Sequence, residues 1–282
     1  MPEIKLEHGN WRARVLPHGG LLGALDFGGI PVLRSMASGA HSALEAACFP
    51  MVPWCNRIAD ARFTWEGAMV ALARNFLPEP HAIHGHGWQS DWAVEFQGSD
   101  TCELAHRHDG AGPGWPWAYE ARQTIALSDA GCTITLSVTN LSGRLMPAGL
   151  GLHPYLRRRP GSRLRFIAAQ VVDVGTDMIP TGDLLPADRF GPFAKGAGLP
   201  DELIDHCFTD WDGVAGVTDD LGTIGLRAQG ATGLHLYAPD DPAILCLEPV
   251  NHCPDGANTG AMTLCAPGET MHLSLRIEAS AA

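Results

Sequence analysis

From Cys132 to Asn140 apolar and polar residues alternate, with Cys132, Ile134, Leu136 and Val138 set between Thr133, Thr135, Ser137 and Thr139. A period of two puts one set against a core and the other toward water only in a strand. Tyr119 to Leu127 precedes it, separated by Ser128, Asp129, Ala130 and Gly131, so the two runs predict an antiparallel hairpin. Short runs of the same kind recur at Trp11 to Leu16, Leu21 to Phe27, Ile30 to Leu33, Arg62 to Trp65, Leu164 to Val172, Leu234 to Ala238, Ala243 to Pro249 and Met271 to Ala279. The 33 glycines and 21 prolines punctuate nearly every gap, too many for a helical bundle and too irregularly placed for collagen. Only Gly39 to Phe49 reads as a helix. The expected fold class is all-β: one domain over residues 1–282, a large sandwich of antiparallel sheets with few short helices.

Charge narrows the function classes. Nineteen basic residues face 31 acidic ones, a net charge of −12, so nucleic acid and anionic membrane surfaces would repel most of this chain. The opening MPEIKLEHGNWRARV lacks the apolar stretch of a signal peptide, and no run of about 18 apolar residues follows. A soluble cytoplasmic protein is expected. The eight cysteines contain no CxxC pair, which favours reduced thiols buried in a core. A Cys246–Cys253 disulfide stays open, although the expected compartment argues against it.

Candidate chemistry sits in five segments. Asn56 and Arg57 follow two prolines and a tryptophan, and an arginine there can clamp a hydroxyl or carboxylate or simply make a surface ion pair. HAIHGHGWQSDW carries His81, His84 and His86 among glycines that permit close backbone approach. His84 and His86 would share one face of a strand, and with Asp91 they suggest a cupin-like metal site, which lacks the usual following glutamate. In GLGLHPYL, Pro154 fixes the chain beside His153, a candidate general acid. DELIDHCF adds Asp205 and His206. In AILCLEPVNHCPDGAN, Glu248 ends an apolar run, where a carboxylate is costly unless paired or at work, and desolvation would raise its pKa toward that of a general base.

Taken in this order, the segments resemble the aldose 1-epimerase, or galactose mutarotase, family. The resemblance is carried by Asn56 and Arg57, by His84, Gly85 and Trp92, and by His153, Pro154 and Tyr155. Asp205, His206 and Phe208 continue it, followed by Glu248, Pro249, Pro254, Asp255 and Asn258. Pro17, Gly19 and Gly20 also match the family start. Three places depart from the pattern: His86 replaces a glycine, GLHPYL replaces an asparagine-led form, and Val250 and Asn251 stand where a glutamine is expected. These bear on which sugar is used more than on the reaction.

The resemblance implies a β-supersandwich with an open sugar cleft, a monosaccharide substrate and no cofactor or metal. It implies Glu248 as proton acceptor from the anomeric hydroxyl, His153 as proton donor to the ring oxygen and His84 as a second donor. Asn56, Arg57 and Asp205 would bind substrate, the aspartate gripping hydroxyls with both oxygens. Trp54, Trp88 or Trp92 could stack on the sugar or pack in the core. A hexose-6-phosphate epimerase is the rival enzyme, motivated by Arg157, Arg158, Arg159, Arg163 and Arg165, which could equally be a solvated charge run. A non-catalytic sugar-binding protein is the rival from another class. Exposed sheet edges are compatible with a monomer or a homodimer.

Overall fold

The hairpin forms as its alternation requires: strands Tyr119–Ser128 and Gly131–Asn140 pair antiparallel around Asp129 and Ala130. A computed structural model describes residues 3–112 and 114–282. The hairpin lies within an antiparallel sheet of eight strands, in the order 93–97, 101–108, 119–128, 131–140, 270–281, 222–229, 214–219 and 163–166. A second antiparallel sheet of seven strands runs 180–186, 170–174, 204–209, 233–238, 246–250, 151–152 and 50–51.

The two sheets share one buried apolar cluster. The first contributes Ile125, Ile134, Leu136, Leu275 and Leu226, and the second Ile204, Phe208, Leu234, Leu236 and Leu247. Alternation then dictates what the other face of the second sheet carries. Asp205 and Cys207, His235 and Tyr237, and Cys246, Glu248 and Val250 are the odd or even complements of those core residues, so they face away from the sandwich. A smaller cluster that includes Phe49, Met51, Tyr155 and Trp88 packs on that face and roofs it.

Three local expectations are corrected. Residues 39–49 form a helix only at Ala43–Glu45, a single 3₁₀ turn capped by Ser42. The carbonyl of Ala46 is claimed by Arg34, and the amides of Ala47 and Cys48 both donate to Leu22, so tertiary partners replace the helical ladder. The run from Leu164 to Val172 is two strands, Arg163–Phe166 and Gln170–Val174, which belong to different sheets. Cys207 and Cys253, expected among the reduced thiols, are bonded to each other with Cα atoms 5.7 Å apart, and the Cys246–Cys253 pairing left open by the sequence does not form. The other six cysteines are buried free thiols.

Candidate active site

A cavity of about 360 Å³ opens on the outward face of the seven-stranded sheet, over its central strands. Glu248 enters from strand Cys246–Val250, His235 stands directly across the ladder from it, and Asp205 comes from the next strand. His153 follows strand Gly151–Leu152, on the other side of Glu248 in the sheet order. Asn56 and His84 from loops, Arg57 from the short strand Arg57–Ile58 and Trp88 from the 3₁₀ turn Gly87–Gln89 complete the wall.

His153 Nε2 and Glu248 Oε1 are 3.1 Å apart. Glu248 is only 1% exposed, and its Oε2 and the Nδ1 of His153 are buried without partners. Phe49 stacks on the imidazole at 4.3 Å between centroids, Tyr155 packs on it at 4.7 Å, and the His153 amide donates to the Phe49 carbonyl at 3.0 Å. The ring orientation is therefore held by the stacked Phe49, by Tyr155 packed in a direction at roughly a right angle to that of Phe49, and by the backbone. Burial, with the Asp205 charge adding to it, pushes Glu248 well above the usual carboxylate range. Burial, with His235 adding to it, pulls His153 down to about 3. Both shifts favour the neutral forms, so the pair holds one proton, on the carboxyl.

A second network lies beside this pair, on the next two strands of the sheet. Asp205 Oδ1 accepts from His235 Nε2 at 2.6 Å, and its Oδ2 lies 3.2 Å from a terminal nitrogen of Arg57. Burial alone would raise the Asp205 pKa, but the bond and charge of His235 and the Arg57 guanidinium outweigh it, so the carboxylate stays ionised. Asn56 Nδ2 lies 3.3 Å from His235 Nε2 and 3.5 Å from its Nδ1. Asn56 Oδ1 in turn accepts from the Arg57 amide at 2.8 Å, and Arg57 also reaches Glu79 at 3.5 Å.

The Asn56 amide donates to His84 Nδ1 at 3.2 Å, which puts the His84 proton on Nε2. Burial first, with the Arg57 guanidinium adding to it, holds His84 well below the usual histidine range, so it is a neutral donor. Asn56 and His84 both lie in the left-handed region, at φ 55° and 59°. Such backbone persists where surrounding structure over-determines it. Gly85 is part of that structure: a Cβ there would meet the Val52 carbonyl oxygen at 2.0 Å. The glycines of this segment thus serve packing against a neighbouring loop.

The sequence profile of the aldose 1-epimerase family matches residues 2–278. The chain belongs to that family. Its Escherichia coli relative YphB, itself uncharacterised, is 30% identical over 292 aligned positions, covering 97% of this chain and 98% of the relative. A candidate aldose 1-epimerase from Escherichia coli K12 superposes with a TM-score of 0.91 at 26% identity, covering 100% of this chain and 99% of the other. A galactose mutarotase-like protein from Clostridium acetobutylicum gives 0.86 at 17% identity, with 99% and 95% covered. These two likenesses extend over the whole sandwich.

For this aldose 1-epimerase family member, all six residues singled out by sequence (Asn56, Arg57, His84, His153, Asp205 and Glu248) line the one cavity. Each Asp205 oxygen has one protein partner and, as a carboxylate oxygen, keeps a second lone pair. The metal grouping of His84, His86 and Asp91 does not assemble. His86 packs against Trp54 and His108, while exposed Asp91 bonds His18 at 2.8 Å. Of the three tryptophans only Trp88 lines the cavity, and Trp54 and Trp92 are core residues. The arginine run is dispersed: Arg157 pairs with Asp219, Arg159 with Asp220, and Arg158 and Arg163 bond carbonyls. Asp255 bonds the Ala59 amide and Asn258 Nδ2, a structural brace.

Sequence reasoning missed His235, Tyr237 and Phe49. His235 and Tyr237 had a signal, since both occupy the face opposite Leu234 and Leu236 in an alternating run. Phe49 had none, because its role depends on a loop folding over His153. Among the described residues, no helix is long and apolar enough to cross a membrane.

Proposed function

We propose that this chain is a single-domain aldose 1-epimerase that interconverts the α and β anomers of a free monosaccharide. The observation that carries the reading is the His153–Glu248 pair, 3.1 Å apart on the wall of a cavity of about 360 Å³. That volume is at the small end of ligand sites and suits one sugar ring. The anomeric hydroxyl and the ring oxygen are bonded to the same carbon, so an acceptor and a donor must lie side by side to reach both. This pair does.

Ring opening starts from carboxylate and imidazolium, reached when the Glu248 proton passes to His153 across the 3.1 Å contact. Glu248 takes the anomeric hydroxyl proton, the C1–O bond to the ring oxygen breaks, and His153 gives its proton to that oxygen. The products are an open-chain aldehyde, a neutral carboxylic acid and a neutral imidazole. That is the protonation state burial favours, so the site stabilises the opened sugar relative to the charged starting pair. Rotation about the C1–C2 bond presents the other carbonyl face. In reclosure the carboxylic acid protonates the carbonyl oxygen while His153 takes the proton from the attacking hydroxyl, restoring the ion pair. Only protons move and return, so the steps need no cofactor.

His84, neutral with its proton on Nε2, supplies a donor toward the ring oxygen region. Asn56, Arg57 and Asp205 hold sugar hydroxyls, with His235 locking the aspartate. Phe49 and Trp88 offer apolar surface to the sugar's C–H face. The buried, unpartnered Glu248 Oε2 is an acceptor that a hydroxyl of the bound sugar can satisfy. The phosphorylated-sugar alternative is disfavoured because Arg57, the one Lys or Arg among the described lining residues, already faces Asp205 and Glu79.

Polarimetry on freshly dissolved α-glucose and α-galactose tests the proposal. Anomer exchange should run far faster with protein than with heat-denatured protein. Equal rates for every common aldose would sink it.

A further inference from the structure

Cys246 is a buried thiol that the proposed chemistry does not use. It lies two residues before Glu248 on the same face of strand Cys246–Val250, and its strand bridges to Tyr155, which packs on His153. One donor atom each of His153, Cys246 and Glu248 fall within 4.8 Å of one another, and all three residues are buried. No other group of His, Cys, Asp and Glu among the described residues is arranged in this way.

The set has the chemistry of a zinc site. Thiolate, imidazole and carboxylate are the three ligand types zinc takes, and three protein ligands with an open fourth position is a known arrangement for it. Tetrahedral zinc with bonds of about 2.1–2.3 Å sets its donors roughly 3.5 Å apart, so closing on an ion needs a contraction of about an ångström from the 4.8 Å limit. His153 and Glu248 line the cavity and Cys246 lies behind them, so an ion reaches the cluster from the cavity side. The charge also balances. Zn²⁺ with one thiolate, one carboxylate and a neutral imidazole is net zero, the condition a buried site requires. Glu248 Oε2, buried without a partner, is an unused lone-pair donor at the same place.

We infer that His153, Cys246 and Glu248 form a zinc-binding site that overlaps the sugar site, so that zinc inhibits the enzyme. Binding releases two protons, one from the Cys246 thiol and one held by the His153–Glu248 pair. With both proton-transfer groups coordinated to metal, neither can serve the sugar. The metal-binding half of this inference stands on the donor cluster alone, while the inhibition half rests on the function proposed above.

The test uses full-length, metal-free protein titrated with zinc chloride by calorimetry and with cobalt(II) chloride by absorption. Wild type is expected to bind one ion per chain and to show thiolate-to-cobalt charge transfer. Cys246→Ala is expected to bind at least about 100-fold more weakly, since even losing a ligand's supporting partner costs about 10- to 100-fold. Cys246→Ser provides a second variant of nearly the same volume. Both keep His153 and Glu248, so anomer exchange without zinc stays near wild type, and the zinc concentration that halves it rises by the same factor. Equal zinc affinity in wild type and in a folded Cys246 variant, or a cobalt spectrum without a thiolate band, overturns the site. If wild type exchanges no anomers, the calorimetric and cobalt arms still decide the metal site, so the two readings fail separately.

Discussion

Replacing Glu248 by glutamine changes one atom of the side chain and leaves its shape. The variant amide oxygen can still accept from His153 across the 3.1 Å contact, so ring position and cavity shape should persist. What disappears is the ability to take a proton. Loss of a positioned base costs about 10²- to 10⁴-fold, or about 3–5 kcal/mol of barrier at about 1.4 kcal/mol per tenfold. Stability should move the other way. Burial raises the Glu248 pKa well above its ordinary value of 4.5, so it stays protonated in the folded chain while the unfolded chain ionises above that value. Its contribution to stability is therefore fully present below pH 4.5 and is lost as pH rises toward the folded value. Glutamine has no such loss. At pH 7 the variant should melt at or above the wild-type temperature, and the difference should shrink toward pH 4.5. Polarimetry, corrected for spontaneous exchange in buffer, reads the first effect and thermal denaturation at two pH values reads the second. A variant that keeps more than about a tenth of wild-type kcat/KM would refute the role given to Glu248, since that is less than about 1.4 kcal/mol.

The other predictions concern the same two networks. His153→Asn should also lose about 10²- to 10⁴-fold, and because the two groups act in one step the double variant should lose little more than either alone. Fully additive losses measured by polarimetry would show that they act separately. Asp205→Asn removes the charge that holds Arg57 and His235, interactions of about 1.5–3 kcal/mol, so KM should rise about 10- to 100-fold with a smaller change in kcat. An effect on kcat alone would contradict its binding role. The acid limb of the kcat/KM profile should lie well below the ordinary histidine range, because the pair in the free protein accepts a second proton only as pH falls toward the His153 value of about 3. An acid limb near 6.5, the unshifted histidine value, would show that His153 is not held neutral by burial.

How far the sequence could be read depended on whether a feature was local. The hairpin of residues 119–140 was legible because a period of two is written within ten residues. Six site residues were legible because each sits in a short segment whose order along the chain matches a family. The helix at 39–49 was misread because Ala46, Ala47 and Cys48 take their hydrogen bonds from Arg34 and Leu22, residues whose approach no local pattern announces. The arginine run was ambiguous for the same reason: Asp219 and Asp220, which pair with Arg157 and Arg159, lie some sixty residues away.

By itself the sequence determined that this chain forms stacked antiparallel strands, which side chains each strand turns away from the core, and which family it belongs to. The tertiary structure alone decided that Glu248 touches His153, that His235 secures Asp205, that Cys253 meets Cys207 and that Cys246 stands beside the reacting pair. The division has one physical cause. Alternation is set by the geometry of a single strand, whereas the neighbours of a side chain are set by sheet register and loop closure, which join residues distant along the chain.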